Sequence, residues 1–204
     1  MEIRPILSAM WRNRTGSVLV ALQIALTLAI VVNCLFLAAT RTEFIGRDSG
    51  IDTQNIIAVA SMGFGSNYDH STTLTDDLEL IRSLPGVVAA TSSNHIPLSG
   101  SGSASGFRAS MEEDAPRASA NYFHFDHQAE QALGVKIIEG RGFYESEMIS
   151  ANSDSLGRMP GQVVISQALA ERLYPDEPAL GKPVFNNLGE SATIVGIVEL
   201  MFGT

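Results

Sequence analysis

His124, Asp126 and His127 put two imidazoles and a carboxylate within one short stretch, a pattern that evokes a metal site. A bound zinc ion needs a full ligand set at defined spacings, and no third ligand follows this His-x-x-His pair at such a spacing. The trio therefore reads as a surface or packing arrangement. His70 and His95, set among many serines, permit a Ser–His hydrolase in principle, but no G-x-S-x-G elbow exists to expose a nucleophile. Gly63-Phe64-Gly65 and Gly100-Ser101-Gly102 lack the further glycine and the strand-to-helix setting of a dinucleotide fingerprint. No G-x-x-x-x-G-K-[ST] occurs, so this chain does not hydrolyse nucleotide by itself. The expectation is a chain with no catalytic residue, no metal and no cofactor.

What the elements must position is then a different matter, and one of them dominates. Val18 to Ala39 is an uncharged run of 22 residues whose polar members, Gln23, Thr27 and Asn33, are neutral. As a helix it measures roughly 33 Å, enough to cross a hydrocarbon core of about 30 Å. A secretory signal usually has a shorter apolar region and an A-x-A-like end, which Leu37 to Thr40 fit poorly. Asn33 also precedes the lone Cys34 where a lipidation signal wants a small residue. We read a retained transmembrane helix.

Before it, Ile3, Ile6, Leu7, Met10 and Trp11 follow the spacing of one helix face, with Arg4, Ser8 and Arg12 opposite. This is either an amphipathic basic helix at the membrane interface or a plain basic segment that orients the span. The charge bias favours a cytoplasmic N-terminus only slightly, since Arg41 and Arg47 follow the run closely. Arg4, Arg12 and Arg14 against Glu2 give the first 16 residues a charge of +2, so the rest carries −11 of a total of −9. An acidic domain of that kind repels nucleic acid and anionic headgroups. The single cysteine allows no intrachain disulfide.

After the span the pattern is of mixed helix and strand. Ile56 to Ala60 reads as a buried strand. Thr73 stands as an approximate capping box with Asp76 before a helix carrying Leu74, Leu78 and Ile81. Pro85-Gly86 stops it and Val87 to Thr91 reads as a second strand, completing a β-α-β unit. A later unit has a strand over Val163 to Ile165, a helix capped by Ser166 with Ala168, Leu169, Arg172 and Leu173, and a strand over Ala192 to Val198. Between them, Ser99 to Gly106 reads as a Ser/Gly loop and Phe107 to Phe125 as strand-like, broken at Pro116. Gln128 to Leu133 reads as a short helix, Val135 to Ile138 as a strand and Glu145 to Pro160 as a polar loop. Gly196 inside a strand predicts a bulge or a close backbone approach. Arg141 either pairs with an acid or is solvated; the sequence does not choose. The fold class expected is α+β: one N-terminal transmembrane helix, then a two-lobed extracytoplasmic domain of two β-α-β units with a lobe inserted at about 95–160.

The order of short motifs over nearly the whole chain resembles the periplasmic core domain of MacB-like and FtsX-like ABC transporter permeases. The residues that carry it are Gly50-Ile51-Asp52, Leu84-Pro85-Gly86-Val87, Pro97-Leu98, Tyr122-Phe123 and Leu133-Gly134-Val135. They continue with Glu139-Gly140-Arg141-Gly142-Phe143, Ala168 to Leu173, Leu180-Gly181-Lys182 and Val195-Gly196-Ile197-Val198. The domains expected are a cytoplasmic or interfacial helix at 1–16, a transmembrane helix at 17–42 and a C-terminally incomplete MacB-like core domain at 43–204.

The resemblance implies a permease subunit that turns ATP-driven motion into movement of an extracytoplasmic domain, for efflux of peptides, lipoproteins or drugs. It implies a separate ABC ATPase subunit, a second permease subunit, membrane lipid and a periplasmic adaptor as partners, with no nucleic acid. It implies a bacterial inner membrane setting with the N-terminus cytoplasmic. Ile6, Leu7, Met10, Trp11 and Arg12 would then lie at the membrane interface near the ATPase. The family fuses its ATPase at the N-terminus in MacB-type proteins and has further spans after the core domain, so a fragment is expected here. The other readings are a single-span anchored periplasmic binding or sensor module, and an anchored hydrolase.

Overall fold

A computed structural model describes residues 11–63, 69–149 and 158–202. The chain divides into two compact units, Met1–Asp48 and Ser49–Thr204.

The first unit is one helix. Asn13 breaks the preceding helical turn, and its Oδ1 accepts a hydrogen bond from the Gly16 N–H at 3.3 Å, the contact of an N-cap. Helix α1 (Arg14–Ile45) follows, and its stretch Arg14–Glu43 is long and apolar enough to cross a membrane. Its apolar residues lie all round the axis rather than on one stripe, as lipid contact requires. Three of its threonines hide their hydroxyls. Thr27 donates to the Gln23 carbonyl, Thr40 to Phe36 and Thr42 to Ala38, each at 2.9 Å.

The second unit is built on one six-stranded sheet. Its strands are β1 (Ser103–Arg108), β2 (Arg117–Tyr122), β3 (Ile137–Gly140), β4 (Gln162–Ser166), β5 (Pro183–Asn186) and β6 (Ser191–Val198). Strand β6 is the hub. Strand β4 runs parallel to it along one edge; β5 and β3 pair antiparallel with the first and last residues of the other edge. Strand β1 joins β5 to β2. Helix α4 (Gln167–Leu173) leaves β4 from the Ser166 cap, whose hydroxyl accepts from the Leu169 N–H, and packs Leu169, Ala170 and Leu173 inward. Leu173, Val184 and Ile194 are almost fully enclosed and centre the main core. A second cluster of Ala129, Leu133, Val135 and Val198 gathers around α3 (Ala129–Leu133).

The later β-α-β unit therefore forms, with β5 interposed in the crossover. That four-residue strand is one the sequence reading missed. Strands β1, β2 and β3, from the region read as an inserted lobe, share the sheet of β5 and β6. Strand β1 also begins at Ser103, within the stretch expected to be a Ser/Gly loop.

The first β-α-β unit is corrected. Helix α2 (His70–Ser83) is present, but Asp69 caps it, accepting from the Ser71 and Thr72 N–H groups, so Thr73 lies inside the helix. Neither Ile56–Ala60 nor Val87–Thr91 forms a strand. A lone pair of parallel strands is marginal without a third. Ile57 is 89 % and Val59 71 % exposed. At Ala90 the backbone groups are taken by side chains instead of a ladder: Arg82 donates to the carbonyl through Nε and Nη2, and the N–H donates to Gln128 Oε1.

Candidate functional site

Asp126 and His124 are held in structural contacts. Asp126 Oδ2 lies 2.8 Å from Arg82 Nη2, and its Oδ1 accepts from the Gln128 N–H at 2.9 Å. That carboxylate is committed to fastening α2 and residues 87–91 to the start of α3. His124 sets its ring edge-on to Tyr122, and its N–H donates to Asn94 Oδ1. Among the described residues no group of acids, histidines and cysteine is arranged to hold a metal. His95 Nε2 and Ser103 Oγ are 2.8 Å apart, a nucleophile–base distance. The His95 backbone exchanges contacts with the Ser93 hydroxyl.

Arg141 resolves to an ion pair. Its Nη1 and Nη2 reach the two Glu147 oxygens at 2.8 and 2.6 Å, and its guanidinium lies 4.0 Å over the Tyr144 ring. The Arg141 hydrogen bonds hold the Glu147 carboxyl down to about 2, helped by the Tyr144 N–H and Gln162. The same pairing raises Arg141. Glu147 was legible only as one acid of a polar stretch, six residues beyond Arg141.

The short glycine motifs meet one another in space. Gly140 opposes Gly196 across the β3–β6 ladder. A Cβ on Gly196 would fall 2.1 Å from the Arg141 carbonyl oxygen, and one on Gly140 would fall 2.3 Å from that of Val195. Gly181 donates to the Ile194 carbonyl and Ile194 to that of Lys182, which docks Leu180-Gly181-Lys182 on the same strand. At the other end Asp52 donates to the Leu133 carbonyl, and a Cβ on Gly134 would lie 2.9 Å from that of Asp52. Gly50, at φ +72°, sits against Leu200. These motifs are joints where backbones touch.

Residues 17–204 match the family described as the MacB-like periplasmic core domain. The chain belongs to that family. Similar solved structures include the periplasmic region of MacB from Actinobacillus actinomycetemcomitans, at 17 % identity over 61 % of this chain and 50 % of that one, with TM-score 0.44. Another is the extracellular domain of the noncanonic ABC-type transporter YknZ from Gram-positive bacteria, at 18 % identity over 61 % and 56 %, with TM-score 0.42. The chain thus matches about half the length of each. No functionally curated protein matches it. The match makes the second unit the MacB-like periplasmic domain of an ABC-type transporter permease.

Of the residues assigned to the interface segment, Ile6, Leu7 and Met10 lie outside the described residues. Trp11 and Arg12 are helical and exposed just ahead of Asn13, and Arg14 lies 5.8 Å over the Trp11 ring.

Proposed function

We propose that this chain is part of an ABC-type permease in the bacterial inner membrane, with α1 spanning the bilayer and the MacB-like domain outside the cytoplasm. An ABC ATPase drives it, a second permease copy completes it, and the outer domain moves to expel peptides, lipoproteins or drugs. A periplasmic adaptor would extend the path outward. The observation that carries this reading is the continuity of a 32-residue apolar helix with a domain of the MacB-like family, the family match beginning inside the helix at residue 17. Trp11, Arg12 and Arg14 suit the inner interface, where an aromatic ring and cations meet headgroups. Ile6, Leu7 and Met10 would continue that interface toward the ATPase.

Purification of the full-length protein from its native membranes tests the assembly. An ABC ATPase should co-purify with it in an intact complex. Its absence from a stable, intact preparation would remove the permease reading. Cysteine accessibility checks the orientation on a Cys34→Ala background: Ser99→Cys should react with an impermeant maleimide from outside the cytoplasm, and Arg12→Cys only after permeabilisation.

A further inference from the structure

Within the Ser49–Thr204 unit lies a cavity of about 340 Å³ that bridges the two core clusters. Strand β4 lines it from both of its faces, with Val163 and Ile165 packed on the main core and Val164 on the smaller one. Phe123 and Phe125 also line it, their rings nearly parallel at 15° and 5.5 Å between centroids. Phe143, Met159 and Met201 contribute further apolar surface. Close-packed interiors leave few voids larger than a water molecule, whereas ligand pockets begin at about 300 Å³.

The lining also selects by charge. Among the described residues its ionisable members are Tyr122, Asp126, His127 and Glu130, with no lysine or arginine. The Asp126 charge is already matched by Arg82. An anion would enter without a counter-charge, so negatively charged ligands are excluded. Parallel aromatic rings and thioether side chains favour a flat, polarizable guest.

We infer that this cavity is a binding site for an aromatic molecule of about two or three rings that carries no negative charge. The inference stands apart from the transport reading, since a binding site in the domain requires neither an ATPase nor efflux.

Photolabelling with benzophenone tests it on the full-length protein in lipid nanodiscs, with adducts mapped by mass spectrometry. The expected result is saturable labelling at Met159 and Met201, reduced about tenfold by Ala120→Leu, which fills the cavity from β2. Ala129→Leu, filling from α3, serves the same purpose should the first variant fail to fold by circular dichroism. Labelling that does not saturate and falls only on α1 reports partition into lipid and overturns the proposal. So does an intact filled variant that labels at Met159 and Met201 as the parent does.

Discussion

Arg82 and Asp126 meet at 2.8 Å, and both side chains are largely buried, 24 % and 16 % exposed. The contact joins a helix none of whose residues is buried to the segment leading into α3. Arg82 also binds the Ala90 carbonyl, so one guanidinium sets both α2 and the chain that follows it. Replacing Asp126 with Asn removes the charge and weakens a bond worth about 1–3 kcal/mol. Hydrogen exchange should quicken over residues 70–95 while β4 and β6 keep their protection. Uniform loss across the sheet would show that the ion pair holds the whole unit instead.

Gly196→Ala should prevent folding of the second unit or cost more than about 3 kcal/mol, because the added methyl would collide with the carbonyl of Arg141, the residue just after β3. Gly140→Ala adds the same kind of collision to a φ of +72°. Gly86→Ala is the control. Its φ is also positive, at +88°, but nothing lies within 4 Å, so only the backbone strain of about 1–2 kcal/mol remains. Denaturant melts of the three variants should separate accordingly.

Acid should unfold the domain in part through Glu147. Its folded-state pKa lies below the ordinary 4.5, so its contribution is complete above that pH and is lost as pH falls through about 2. Glu147→Gln should remove that limb from a plot of stability against pH. It should lower stability at neutral pH as well, since the Arg141 fork loses its charged partner.

Truncating Ile194 or Leu173 to Ala should cost about 2–5 kcal/mol, the range for large-to-small changes at enclosed positions. Both side chains are at most 1 % exposed. Leu188→Ala, on the β5–β6 turn at 78 % exposure, should cost less than about 0.5 kcal/mol in the same melts.

The legible parts of this chain were those fixed by local pattern. The charge-free run yields α1, and the apolar stretches around Ser166 yield β4, α4 and β6. What misled was an apolar run whose partners are not set by its own residues. Ile56–Ala60 has strand composition but no ladder, and Ala90 is satisfied by Arg82 and Gln128, which lie 8 and 38 residues away in sequence. Strand β5 was missed because Pro183 and its four-residue length give no periodicity. Gly196 signalled a close approach, whereas its contact, the Arg141 carbonyl, depends on tertiary placement. The cavity had no local signature, since its walls come from segments throughout the second unit.

The central claim is that ATP use moves the outer domain. Hydrogen exchange of residues 49–202 in the reconstituted permease–ATPase complex tests it most directly, with and without a non-hydrolysable ATP analogue. The account predicts that nucleotide changes exchange in that domain, foremost at α2 and residues 87–95, where side chains of Arg82 and Gln128 take the Ala90 backbone groups in place of a ladder. Identical exchange throughout the domain, in a complex shown to bind the nucleotide, would contradict it.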